Sequence, residues 1–396
     1  MTVETTLRSR AGGARLVRAA PLACALAAVL LAGCREPAPR ELRIGLIGVT
    51  TGSMGVASGI PALEGARLAI EEINAAGGVR IGDAVHRVRL VERDIAPSAE
   101  AAAEAARALI NLDSVDAIVG PQVSAQALAA ANVAEMSAVP LIAPMASSVA
   151  VTSGRRHVLR LAFVDAYQGQ LLATFAHDSL RLRRVAALYD AANPYGRDIF
   201  RLFRQTFEQQ GGAVVAEETF TPDQATDFRP QLRRMLAARP DAILLPNYSQ
   251  YDSIQIRQVR ALGYTGRFLG TDSWDPITLQ ETGTTAGAVI VANWDRHTTR
   301  AAGREFVRRF EARHGHAPRS TAAATYDAVR LLAEAWRRAG TTEGTPVADS
   351  LRHFGAYEGA SARFRFEGTG DPVRGGVILE FVRGADSLRY RDLPPW

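Results

Sequence analysis

The chain has 396 residues, 47% of them hydrophobic, which is enough to build two packed cores, so two domains are expected. Its formal net charge is +5, and residues 1–33, with four Arg and one Glu, supply +3 of that, so no nucleic-acid footprint is left in the remainder. All 46 cationic side chains are Arg, which excludes Schiff-base lysines, Walker-type lysines and Ser-x-x-Lys acyl enzymes; an arginine- and alanine-rich codon usage accounts for the bias.

The first segment reads as an address. Arg8, Arg10, Arg15 and Arg18 precede an apolar stretch from Ala19 to Ala32, too short to span a bilayer comfortably but suited to a secretory signal. Leu31-Ala32-Gly33-Cys34 resembles the lipobox of bacterial lipoproteins. That resemblance implies removal of residues 1–33, lipidation of Cys34, and a location outside the cytoplasm, anchored to a bacterial membrane. Residues 34–41, with two prolines and mixed charge, form a tether. The second cysteine, Cys24, lies in the segment to be removed, so the mature chain is expected to have no disulfide and to rest on its core.

Beyond the tether, strands alternate with helices. Leu42–Val49 is a continuous β-rich run, and a Gly/Ser loop leads to a helix over Pro61–Asn74 whose stop is Ala75-Ala76-Gly77-Gly78. Strands follow at Val85–Asp94, Ala117–Val119 and Pro140–Ala143, separated by helices over Ser98–Ile110 and Ser124–Met136. A second series begins after Arg160. It has helices over Tyr167–Leu180, Pro194–Gln210, Phe228–Arg239 and Ser249–Leu262, and strands at Val185–Tyr189, Val214–Phe220, Ala242–Pro246 and Phe268–Gly270. After a strand at Ala288–Ala292 come helices over Arg300–His314 and Ser320–Ala339, then strands at Arg363–Phe366 and Gly376–Arg383. Such alternation with short joins predicts parallel sheets with right-handed crossovers, here two doubly wound α/β lobes.

Open parallel sheets bind ligands beyond the carboxyl ends of their strands. In the first series those loops carry Thr50–Gly55, Gly120–Ser124 and Pro144–Ser148: hydroxyls and amides near helix starts, suited to an anionic group. In the second they carry Asn193–Gly196, Asn247–Ser249 and Thr271–Asp275: aromatic rings and an acid, suited to an ammonium. Facing each other, the two sets suit a small zwitterion. Singly, each residue has a plainer reading: Ser124 and Ser147 as helix N-caps, Tyr195 as a shield for a helix end, Asp272 as a cap.

The stretch Leu63–Gly78 resembles the opening helix of the leucine/isoleucine/valine-binding protein family, type I periplasmic binding proteins that serve ABC importers. Val119-Gly120 through Ser124, Ala143–Ser147, Tyr195-Gly196 and Gly270-Thr271-Asp272 follow in family order, so the resemblance covers the chain from Leu42 onward. It implies that Ser124, the backbone of Met145 and Ala146, and Ser147 receive an α-carboxylate. Asp272 receives the α-ammonium, with Tyr195 and Tyr248 covering that group and the side chain. It also implies a lipid-anchored monomer that delivers a small, branched-chain type amino acid or related compound to a membrane permease by hinge closure. The lobes are then discontinuous, 42–163 with 293–360 and 164–292 with 361–396, joined by crossings near Phe163, Ala292 and Ala360. The chain departs from the pattern in lacking an aromatic ring between Gly52 and Gly59, and Asp272 stands where some members have Glu.

Two other classes compete: a ligand-sensing receptor of the same fold, and a Rossmann-like enzyme. Gly48-x-x-x-Gly52-x-x-Gly55 is not the dinucleotide fingerprint, the chain after Cys34 has no Cys/His metal spacing, and no Gly-x-Ser-x-Gly elbow occurs. No enzyme, cofactor or metal is therefore expected.

Overall fold

The computed structural model describes residues 1–3, 41–221, 226–274, 285–382 and 388–392. Most of the signal, Cys34 and the tether up to Arg40 lie outside them. Two sheets organise the chain from Glu41 onward. The first is all parallel, in the order β4 (Val88–Asp94), β1 (Leu42–Gly48), β5 (Ala117–Val119), β6 (Leu141–Ala143), β7 (Val158–Arg160). The second runs β16 (Leu388–Asp392), β15 (Val377–Phe381), β12 (Val289–Ala292), β11 (Arg267–Gly270), β10 (Ala242–Leu244), β8 (Arg184–Asp190), β9 (Ala213–Phe220). Only β15 and β16 are antiparallel to their neighbours.

Both sheets are buried on two faces, which is why their strands read as unbroken apolar runs. Along β1, Leu42, Ile44 and Leu46 point into one core with Trp336 and Phe310, while Ile47 faces the other with Leu109 and Ala130. Along β8, Ala186 and Leu188 pack with Phe268 and Trp274, whereas Val185, Ala187 and Tyr189 pack with Phe203 and Phe207. Helix Ile60–Ala75 lies so close to helix Ser320–Ala339 that a Cβ on Gly65 would sit 2.1 Å from the Ala322 carbonyl oxygen; no other residue fits there.

Three passages connect the sheets. The first runs from β7 through Phe163 to helix Asp165–Thr174, and the second from β12 through Asn293 to helix Ala301–His314. The third leaves β14 (Arg363–Phe366), which forms a hairpin with β13 (Gly355–Glu358), and enters β15. Phe364 and Phe366 pack in the first core beside Trp336, so this passage follows the hairpin; the crossing expected near Ala360 precedes it.

A buried arginine ties the passages together. Arg374, 2% exposed, donates to the carbonyls of Leu161 (2.7 Å) and Asn293, so the third passage holds the first and the second. Among the described residues no carboxylate pairs with it directly, and burial lowers its pKa to about 10. Arg160, fully buried, pairs with Asp371 at 2.6 Å and also donates to the Ser148 carbonyl at 2.9 Å.

Several expectations change in detail. The strand read at Val85–Asp94 is two, because Val79–Ile81 (β2) and Ala84–His86 (β3) form a hairpin before β4 begins. The loop after β1 winds into helical turns over Gly52–Gly59. β7, β13, β16 and helix Gly344–Arg352 were not anticipated.

Candidate functional site

In each sheet the parallel strands follow one rule: a strand is inserted beside the first, and the order then reverses. The crevice at such a reversal lies beside β1 and β5 in the first sheet and beside β8 and β10 in the second. The loops leaving these strands, with those after β6 and β11, converge on a single cavity of about 110 Å³, several times what one water requires.

Ser124, Met145, Ser147, Tyr195, Tyr248 and Asp272 all line it. Ala146 does not; it is buried behind the loop, and its carbonyl lies 3.4 Å from the Arg160 guanidinium. Arg160 thus fixes the shape of the loop that carries Met145 and Ser147.

On the first-sheet side, Gly120 takes φ +88°, and a Cβ there would lie 2.4 Å from the Ile47 carbonyl oxygen. This turn aims the start of helix Ser124–Met136 at the cavity, and the unpaired amides and dipole of that end favour an anion. Ser124 is not the N-cap; Val123 holds that position, and the Ser124 hydroxyl accepts from the Ser148 amide at 3.4 Å. Ser147 lies beside Asp165, a carboxyl that no motif or loop position singles out. Burial raises the Asp165 pKa to about 8, against the pull of the Ser147 hydroxyl, so it is mostly protonated at neutral pH.

The second-sheet side is built around Asp272, which is 9% exposed. Tyr195 donates its hydroxyl to Oδ1 at 2.6 Å, Asn293 donates its amide to Oδ2, and Gln168 accepts the Asp272 backbone N–H at 2.7 Å. Burial lifts the Asp272 pKa to about 6 although Tyr195, Gln168, Arg374 and Asn293 all favour the charged form. Asp272 is therefore mainly a carboxylate at neutral pH, with negative charge that its neutral donors only partly offset. Tyr195 stacks on Tyr248 with centroids 5.1 Å apart, and burial together with the Asp272 charge pushes the Tyr195 pKa upward. Asn193 caps the helix that carries Tyr195 by accepting its backbone N–H at 3.1 Å.

Asn293 also links this acid to the hinge, since its Oδ1 accepts the Phe163 amide at 3.2 Å. Met54 and Gln122, in two of the loops expected to face a ligand, also line the cavity, and further wall residues not anticipated are Ser58, Trp294, Arg319 and Ser320. Their only sequence signal was position, in loops and helix starts beyond strand ends. Among the described residues no His/Cys/Asp/Glu group is placed to hold a metal, and no helix is long and apolar enough to cross a membrane.

Residues 41–386 match the model of a family described as periplasmic binding protein. An amino acid binding protein of Pseudomonas aeruginosa is 26% identical over 345 residues, 85% of this chain and 89% of its own. The leucine-binding protein LivK of Thermotoga maritima superposes with a TM-score of 0.82 at 29% identity, covering 89% of this chain and 99% of its own. LivJ of Streptococcus pneumoniae, solved with isoleucine, gives a TM-score of 0.81 at 26% identity, covering 89% of this chain and 100% of its own. These relatives are solute-binding proteins, not enzymes.

Proposed function

Because the chain belongs to the periplasmic binding protein family, whose members work outside the cytoplasm, we propose that it captures a zwitterionic α-amino acid between its lobes and delivers it to an ABC permease. The observation that carries this reading is the buried Asp272 carboxylate on one wall of a cavity whose other wall presents Ser124, Ser147 and a helix start. The donors that bond this carboxylate directly are all neutral, with Arg374 acting only from a distance, and an α-ammonium supplies a cation in direct contact. The ligand carboxylate then meets the start of helix Ser124–Met136 and the Ser147 loop. Charged hydrogen bonds of this kind are each worth about 1.5–3 kcal/mol.

A ligand that touches both walls is bound fully only when the lobes are together, so it favours the closed form. The three passages are the hinge. Delivery to a permease rests on the family's role, and attachment through Cys34 on the lipobox-like Leu31–Cys34.

The test is a thermal-shift screen of the purified chain against amino acids and deaminated acids, since a ligand specific for the folded form raises the melting temperature. An α-amino acid is expected to give the largest rise, and Asp272→Ala to abolish it while leaving the circular dichroism unchanged. An unchanged response in Asp272→Ala refutes the ammonium role. Cys34→Ser is expected to move the protein from the membrane fraction to the soluble fraction; persistent membrane association refutes lipidation.

A further inference from the structure

The two ends of the ligand described above leave part of the cavity wall unexplained. Both polar atoms of the Gln122 amide are buried and have no partner among the described residues, although the residue is only 8% exposed. The same holds for the indole Nε1 of Trp294, 3% exposed, and for the hydroxyl oxygen of Ser320. These three residues come from separate elements, the loop after β5, the passage after β12 and the start of helix Ser320–Ala339, yet all line the one cavity.

Buried polar groups are nearly always paired, and one left unpaired beside a ligand cavity is a candidate for pairing with the ligand. An aliphatic side chain placed here leaves the Gln122 amide and the indole N–H dry and unpaired. A carboxylate can accept from the Gln122 Nε2 and the Trp294 Nε1, but it has nothing to donate to the Gln122 Oε1. A carboxamide has both functions: its oxygen accepts and its NH₂ donates.

Resting on the α-amino acid reading, we propose that Gln122, Trp294 and Ser320 form a side-chain subsite for a carboxamide, so that the preferred ligands are amino acids of the glutamine and asparagine type and not branched aliphatic ones. A site built to hydrogen-bond a polar group rejects an isostere that lacks it far more strongly than an apolar pocket rejects a polar isostere.

Calorimetric titration of the full-length chain in mild detergent with glutamine, asparagine, glutamate, leucine and valine tests this. A carboxamide amino acid is expected to bind at least tenfold more tightly than leucine, valine or glutamate. Gln122→Leu is expected to weaken the carboxamide at least tenfold and to strengthen leucine. Trp294→Phe, which keeps a ring but removes the N–H, is expected to weaken the carboxamide and leave leucine unchanged. Leucine, valine or glutamate binding as tightly as both carboxamides in the unmodified chain overturns the subsite while leaving the α-amino acid reading intact. Absence of binding by every α-amino acid overturns that reading and the subsite with it.

Discussion

The two walls of the cavity are prepared differently. On the second-sheet wall, Asp272 is already gripped by Tyr195, Asn293 and Gln168 before any ligand arrives. The opposite wall holds more polar atoms without a partner among the described residues, those of Gln122, Ser147, Trp294 and Ser320, against the Tyr248 hydroxyl and the Gln168 Nε2 on the second-sheet side. The prepared wall fixes a charge in place, so little reorganisation is needed when an ammonium binds. On the proposed reading, the open wall is completed by the ligand, and it is there that one amino acid is told from another. Charge recognition and side-chain selection are therefore separable, and substitutions on the two walls should fail in different ways.

The largest structural effect is expected behind the walls, at the hinge. Arg374→Met removes the donor to Leu161 and Asn293, and leaving two buried carbonyls short of a partner costs on the order of 3 kcal/mol. Thermal melts should show a clear fall in midpoint without ligand; an unchanged midpoint denies Arg374 its role in joining the passages. Tyr195→Phe is milder. It removes the hydroxyl bonded to Asp272 but keeps the ring stacked on Tyr248, so affinity for every α-amino acid should fall about tenfold without a change in their ranking. A changed ranking would mean that the walls are not separable.

The pH dependence sharpens the same contrast. Asp272 and Asp165 have folded pKa values of about 6 and about 8, both above the ordinary aspartate value of 3.8. The folded chain therefore holds these protons more tightly than the unfolded one. The stability they contribute is complete below the ordinary value and is lost as pH rises through about 6 for Asp272 and about 8 for Asp165. For Asp272 alone the loss is on the order of 3 kcal/mol. Ammonium binding needs the carboxylate, so affinity should weaken as pH falls below about 6, approaching tenfold per unit. The ligand-free melting temperature should thus fall, and the ligand-induced rise should grow, between about pH 5 and about pH 7.5. Parallel movement of the two quantities would contradict the assignment of Asp272.

Much of the architecture was legible because doubly wound sheets write themselves as apolar runs alternating with amphipathic helices. Elements were missed where that signal fails. β3 merged with β4 because only Arg87 separates His86 from Val88, with no glycine or proline to mark the break, and the three-residue β2 was missed. β7 is three residues long and follows Arg155-Arg156, so it carries no period of its own. The site divides similarly. Ser124, Ser147, Tyr195, Tyr248 and Asp272 stand in loops whose residue types suggest their chemistry, and the fold brings them to one cavity. Asp165, Asn293 and Trp294 belong to passages between lobes, and their place at the site depends on how the chain crosses from one sheet to the other. Gln122 lies in a loop that was read, but an exposed and a buried glutamine look alike in sequence.

The central claim is that Asp272 meets an ammonium while the opposite wall meets a carboxylate. Calorimetry with the best α-amino acid ligand and with the same molecule lacking only its amino group tests it most directly. The deaminated acid should bind at least about a hundredfold more weakly to the unmodified chain, a loss of about 2.7 kcal/mol, and Asp272→Asn should remove most of that difference. Equal affinity of the unmodified chain for the two molecules would contradict the claim.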